Sequence, residues 1–313
     1  MIEYLPLVSI VTPTYNQASF LDETIQSVLN QDYSRIEYIV LDDGSIDNTQ
    51  QVLEKYEGRI FWESHPNMGQ ARTVNKGWSK SRGDIIGWVN SDDPLLPGVV
   101  SEVVTFFEKH PDVLVVYPDW NMIGPDSEVI RHIQAAEYDY MRMLRKHECL
   151  PGPGAFFRRK ILQLAGLLDP DFKYVLDYEF WLRAGLVGRF VRIPRTLATF
   201  RVHSEAKSTS HLGAAMAAEH VRLIEKFYAQ PNLPQSVQKV RTEAFSRAYF
   251  AAGAICMSSG EYELGIKCYR KSMRLYPLVW FNRTLYWRSV LYMLPVSLYR
   301  LAQRCWRAFE GGN

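Results

Sequence analysis

Cysteine is scarce in this chain and poorly placed for a structural use. Cys149, Cys256, Cys268 and Cys305 are scattered over 313 residues, with no C-x-x-C pair and no histidine at metal-ligand spacing. That excludes a disulfide scaffold and a zinc module, and points to a reducing compartment. The opening Met1-Ile-Glu-Tyr lacks the basic start and apolar run of a secretory signal, so a cytoplasmic location is expected. Long hydrophobic runs are missing too: the stretch between Arg288 and Arg300 is only 11 residues, whereas a bilayer needs about 20. No G-x-G-x-x-G follows the first candidate strand, which counts against a dinucleotide dehydrogenase. What is there is 47% hydrophobic, 13% aromatic and 22% charged, which excludes disorder and collagen-like repeats and suffices for a core in about two domains.

A net charge of +2 conceals an asymmetry. Residues 1–225 carry 23 Lys and Arg against 30 Asp and Glu, a net of −7, while residues 226–313 carry 13 against 4, a net of +9. The acidic front is a poor nucleic-acid binder but suits a divalent cation; the basic, aromatic tail suits anionic lipid or an acidic protein. At 100° per residue, Leu301, Ala302, Cys305 and Phe309 fall within about 60° of Leu298, with Arg300, Arg304 and Arg307 near the other side. Two readings stand for this basic amphipathic end: a helix lying on the inner face of the cell membrane, or one packed on the acidic front.

Short apolar runs alternate with amphipathic stretches through the first part, predicting an α/β protein with a mostly parallel sheet flanked by helices. The expected strands are Leu7–Thr12, Ile36–Leu41, Arg59–Glu63, Asp84–Val89 and Val113–Tyr117. The expected helices are Phe20–Asn30, Asn48–Tyr56, Gly69–Ser81 and Gly98–Lys109, the first with Leu21, Ile25, Val28 and Leu29 on one face. From Trp120 to about Pro194 the order is irregular, with a turn at Gly124-Pro125-Asp126 and a Pro-Gly-Pro-Gly loop at 151–154, as expected of substrate loops. After Lys207 the chain reads as all-helical. Within it Tyr249, Gly253, Gly265, Tyr269, Ser272 and Pro277 fall on the offsets of one tetratricopeptide unit, with Cys256 where Tyr is usual; a plain helical hairpin reproduces the same pattern.

The carboxyl ends of strands in an open parallel sheet line its ligand crevice, and here each ends in polar residues. The first leads into Thr12-Pro13-Thr14-Tyr15-Asn16, where Tyr15 offers a ring for a base or simply a surface turn. The second leads into Asp42-Asp43-Gly44-Ser45-Ile46-Asp47, whose adjacent carboxylates need donors or a cation to stay charged. Asp42 is the candidate for accepting a hydrogen bond from a base, and Asp47 reads as a helix cap. After the third strand, Asn67-Met68-Gly69-Gln70-Ala71-Arg72 opens a helix, placing Arg72 within reach of an anion at its start. The fourth runs into Asn90-Ser91-Asp92-Asp93-Pro94, an oxygen-rich pair suited to Mg²⁺ or Mn²⁺ completed by phosphate and water. Farther on, Asp177 is either a helix cap or a general base, and His203 a metal or phosphate contact or a structural histidine.

Taken together, these motifs resemble the family 2 glycosyltransferases, inverting enzymes of the GT-A fold. The similarity covers about residues 5–205. It rests on Val8–Asn16, Asp42–Asp47, the Asn67–Arg72 segment with Asn75 displaced, Asn90–Asp93, Leu176-Asp177 before a Trp-containing helix, and Arg201-Val202-His203. Asn90 stands where the first acid of the metal motif is frequent, and Leu176 where an acid often precedes the base. The resemblance implies a GT-A catalytic domain over residues 1–206 and a helical region over 207–313. It also implies a nucleotide-sugar donor and an acceptor that is a saccharide or lipid-linked saccharide, commonly in bacterial cell-surface polysaccharide. Thr12, Pro13 and Tyr15 would meet the nucleoside, Asp42 with Asp43 its base, and Arg72 and Asn90 the nucleotide. Asp92 would serve ribose and metal, Asp93 the diphosphate-bridging cation with His203 beside it, and Asp177 the base. A nucleotidyltransferase of related fold would want basic residues near the first strand, and Thr12–Asn16 has none. A non-catalytic interaction protein using the helical tail would not need Asp92, Asp93 and Asp177.

Overall fold

The computed structural model describes residues 5–204 and 213–278. The chain forms two compact units, Met1–Tyr140 with Cys149–Thr209, and Met141–Glu148 with Ser210–Asn313.

In the first unit, strands β1 (Val8–Thr14), β2 (Ile36–Asp42), β3 (Phe61–Ser64) and β4 (Ile85–Trp88) alternate with helices α1 (Ala18–Leu29), α2 (Thr49–Glu54), α3 (Gln70–Lys80) and α4 (Val99–Lys109). These four strands pair in parallel. All seven residues of β1 are buried, as an apolar run covered on both faces requires. The third strand starts two residues later than its apolar run, because the Arg59 N–H closes a turn on the Tyr56 carbonyl at 2.9 Å.

The sheet continues with β5 (Val113–Ile123), β6 (Val129–Ile133), β7 (Phe156–Arg158) and β8 (Arg189–Arg201), in the order β3-β2-β1-β4-β7-β5-β6, with β8 on β5. The parallel order reverses where β4 lies on the other side of β1 from β2, the position at which open sheets hold ligands. The Gly124-Pro125-Asp126 turn is the β5–β6 hairpin, closed by the Gly124 N–H on the Glu128 carbonyl at 2.9 Å. The sequence reading missed β8 and the second half of β5. Arg192 of β8 is buried and grips Asp119 of β5 through two 2.7 Å bonds, so an ion pair sits where apolar alternation would have marked a strand.

Leu21, Ile25 and Val28 of α1 and Val99, Val103 and Phe107 of α4 pack on Val8, Ile10 and Val40 of the sheet, each side chain contributing about 1.5–3 kcal/mol. An aromatic cluster fixes helix α7 (Leu176–Gly185), which follows α5 (Tyr140–Lys146) and α6 (Lys160–Ala165). In it Trp78 of α3 lies 5.3 Å from Phe157 and 5.2 Å from Phe180 of α7, ring centre to ring centre. That packing seats the start of α7, and with it Asp177.

The second unit contains α8 (Ala214–Tyr228), α9 (Gln235–Lys239), α10 (Arg241–Ser258) and α11 (Tyr262–Leu275). The tetratricopeptide-like residues lie on the α10–α11 hairpin. A Cβ on Gly253 would come within 3.2 Å of the Gly265 carbonyl, and one on Gly265 as close to that of Gly253, so the close crossing requires the small residues. Ser246 donates to the Ser272 carbonyl at 2.8 Å across the same interface. Among the described residues no helix is long and apolar enough to cross a membrane. The amphipathic segment around Leu298 and Arg300 lies outside the described residues.

Candidate active site

The loops after β1 and β2 hold each other. Asn16, at a left-handed φ of 53°, accepts the Ile46 N–H on its side-chain oxygen and donates its own N–H to Ser45 Oγ, both at 2.8 Å. Tyr15 beside it is 46% exposed. The adjacent carboxylates of Asp42 and Asp43 find their donors within the protein. Asp42 accepts the Ser45 N–H at 3.0 Å and the Ser64 hydroxyl at 2.8 Å. Asp43 accepts the N–H groups of Met68 at 2.7 Å and Gly69 at 3.0 Å, fixing the start of α3. Gly44, directly after them, has φ +78°, and a Cβ there would lie 2.8 Å from the Asn67 nitrogen, so the turn demands glycine. Asp47 accepts the Thr49 and Ala18 N–H groups, each at 3.0 Å, so it ties the start of α1 to the start of α2. Burial opposes its charge, but the Thr49 hydroxyl, which also donates to it, and then those N–H groups prevail and lower its pKa.

After β4, the Asn90–Pro94 turn is gripped from three elements. Thr24 of α1 donates to the Ser91 carbonyl at 2.9 Å, and Thr199 of β8 to that of Pro94 at 2.6 Å. Arg201, at the end of β8, is 1% exposed. Its guanidinium donates to the carbonyls of Asp92 at 2.9 Å, Gly124 at 2.9 Å and Pro125 at 3.0 Å, and to Glu23 of α1 at 2.6 Å. A planar five-donor fork suits such a multi-way clamp. A further chain links the strand ends: Gln70 of α3 donates to Asn90 at 3.1 Å, Asn90 to Asp93 Oδ2 at 3.0 Å, and the Arg201 N–H to Asp93 Oδ1 at 2.8 Å. Asp93 is thereby turned into the protein and buried. Burial first, and the neighbouring Asp92 carboxylate second, push its carboxyl well above the usual range. Asp92 instead meets His203, Oδ2 to Nε2, at 3.0 Å, and His203 packs on Phe20 with ring centres 4.6 Å apart.

Helix α7 starts at Leu176 with Val175 at its cap position, so Asp177 lies inside the first turn rather than at the cap. Its Oδ1 accepts the Tyr178 N–H at 2.7 Å. Burial raises its pKa despite that bond, strengthening it as a proton acceptor.

Several sequence readings need correcting. Thr12 and Pro13 are buried, and Thr12 Oγ1 pairs with the Tyr38 hydroxyl at 3.1 Å, because strand alternation directs that side chain into the core. Asp42 and Asp43 are 1% and 4% exposed and serve first as clasps. Arg72 is exposed on the first turn of α3. Gln70, Arg201 and Glu23 were missed as framework residues, although Arg201 stands two residues before His203.

Among the described residues no group of three or more His, Cys, Asp or Glu side chains converges on one point. Asp92 and His203, in contact at 3.0 Å, are an oxygen and an imidazole donor that a divalent cation would accept, with its remaining positions left to water and phosphate oxygens.

Comparison with known proteins places the chain in a family. The family model described as Glycosyl transferase family 2 matches residues 9–164. A hyaluronan synthase of Pasteurella multocida is 30% identical over 218 residues, 68% of this chain and 22% of that enzyme. The solved structure of Staphylococcus aureus TarS (residues 1–349) with UDP-GlcNAc superposes with a TM-score of 0.66 at 18% identity, covering 86% of this chain and 81% of that one. The mannosyltransferase PcManGT of Pyrobaculum calidifontis, solved with GDP-Man and Mn²⁺, gives 0.53 at 18% identity, over 87% and 86%. The fold and these likenesses define a glycosyltransferase. The chain belongs to glycosyl transferase family 2.

Proposed function

We propose that the protein is an inverting glycosyltransferase that moves a sugar from a nucleoside-diphosphate sugar to a hydroxyl of a saccharide or lipid-linked saccharide in cell-surface polysaccharide synthesis. The observation that carries this reading is the 3.0 Å Asp92–His203 contact, after the β4 strand end that also meets the start of α3 through Gln70 and Asn90. Asp92 and His203 would hold Mg²⁺ or Mn²⁺, which when bound neutralises charge growing on the departing diphosphate. Arg72 adds a positive charge at the start of α3, where free N–H groups already favour an anion. Tyr15 offers its exposed ring to the base. Asp42 would accept a base N–H as a third bond on a carboxylate already holding two, within the capacity of its two oxygens.

Asp177 orients the acceptor hydroxyl and takes its proton as the oxygen bonds to the anomeric carbon. The sugar–diphosphate bond breaks on the opposite side, which inverts the anomeric centre. Its raised pKa suits late proton acceptance, and holding the hydroxyl in line supplies much of the advantage. The hyaluronan synthase relative supports a polysaccharide product, and the PcManGT complex supports a divalent cation. The basic C-terminal segment would bring a cytoplasmic enzyme to the anionic inner face of the membrane, where lipid-linked acceptors lie.

Thermal unfolding in the presence of sugar nucleotides tests the reading. A subset of UDP- and GDP-sugars should raise the melting temperature with Mn²⁺ and much less without it; no protection by any of them would overturn it.

A further inference from the structure

Asn75, in the middle of α3, applies both ends of its side-chain amide to one distant peptide. Its Nδ2 donates to the Leu168 carbonyl at 2.8 Å and its Oδ1 accepts the Leu168 N–H at 2.9 Å. Opposed residues of an antiparallel ladder exchange the same two bonds, so the grip fixes both the place and the orientation of that peptide. Leu168 is 2% exposed and Asn75 half-buried, so both bonds are partly shielded from water.

Leu168 belongs to the segment joining α6 to α7, and the neighbouring residues are held from the other direction. Arg183 of α7 donates to the carbonyls of Leu167, at 2.7 Å, and Ala165. It is itself braced by Glu179, one turn earlier in α7, through two 2.7 Å bonds. At consecutive residues, then, the segment is tied to the helix whose first turn carries Asp177 and to the helix whose first turn carries Arg72. Asparagine is a weak helix former, so its helix gains nothing intrinsic from it at this position.

We propose that Asn75 is a positioning residue: through Leu168 it sets the spacing between the base Asp177 and the donor end of α3. The inference rests on the reading of Asp177 as the base. A misplacement of about 1 Å costs on the order of 100-fold in rate, so Asn75→Ala should lower kcat by about 10- to 100-fold. KM for the donor should change less than about threefold, since Arg72 and the Asn90–Pro94 turn keep their own supports.

The test measures nucleoside diphosphate release from UDP-GlcNAc or GDP-mannose, whichever is turned over, for Asn75→Ala, Asp177→Asn and the double variant, with a melting curve for each. Asn75→Asp is the companion in case Asn75→Ala folds poorly: it keeps the volume and the acceptor for the Leu168 N–H but loses the donor, and should also lower kcat selectively. If Asn75 acts through Asp177, the double variant is no slower than Asp177→Asn alone. Full activity in Asp177→Asn would overturn the base assignment and this proposal with it. With Asp177→Asn slowed to a residual rate, wild-type kcat in both Asn75 variants, or losses that multiply in the double variant, would overturn the proposal alone.

Discussion

The Nε2 of His203 lies 3.0 Å from Oδ2 of Asp92, across 111 residues of chain, whereas the adjacent Asp93 points inward to the Arg201 N–H and the Asn90 amide. Neighbouring carboxylates therefore have different duties. Removing Asp93 leaves a buried N–H and an amide unpaired, so Asp93→Ala should destabilise the protein by about 1–3 kcal/mol. Asp92, with its side chain 20% exposed, should tolerate Asp92→Asn with a loss below about 1 kcal/mol. Urea denaturation of the two variants checks the contrast, and equal stability would show that Asp93 is not a framework residue.

Asp177→Asn keeps the volume and an oxygen for the Tyr178 N–H but loses the proton acceptor. Turnover should fall by about 10²- to 10⁴-fold, with stability within about 0.5 kcal/mol of the parent. Because the Asp177 carboxyl titrates above its ordinary 3.8, the acid limb of kcat in the parent should lie above that pH, activity falling as the carboxylate is protonated. Retained turnover in the variant, with a stable fold, would return Asp177 to a structural role.

In the second unit His147 Nε2 and His220 Nδ1 are 2.8 Å apart. Burial lowers both pKa values, that of His220 to about 4 and that of His147, where the neighbouring imidazole adds to the effect, well below 6.5. Well above pH 6.5 both rings are neutral folded or unfolded, and the pair contributes no pH dependence. As pH falls from 6.5 toward 4 the unfolded chain binds protons that the folded one refuses, so stability declines. The melting temperature should drop over that window, and less steeply in the His147→Gln, His220→Gln double variant. An identical slope in the two proteins would contradict the pairing.

The strand ends were legible because a parallel sheet places its ligand residues directly after apolar runs, so Asp42, Asp92 and the helix start at Gln70 appear as short local motifs. Their supports were not. Arg201 reaches Glu23 across 178 residues and Asn75 reaches Leu168 across 93, and no periodicity marks a bond between such distant positions. Thr12 was read from its motif as facing a ligand, when the alternation that makes β1 a strand turns it toward Tyr38. The β8 strand stayed hidden because Arg192 and Arg201 are buried in it with partners on other elements.

The proposed transfer depends most directly on Asp92 and His203 holding a divalent cation for the donor diphosphate. Calorimetric titration with UDP and with GDP, with and without Mn²⁺, tests this in the parent, Asp92→Asn and His203→Ala proteins. The parent should bind at least one of the two nucleotides about tenfold or more tightly with Mn²⁺, and each variant should lose most of that gain while still melting in one cooperative transition. Mn²⁺-dependent tightening that survives intact in both variants would contradict the account.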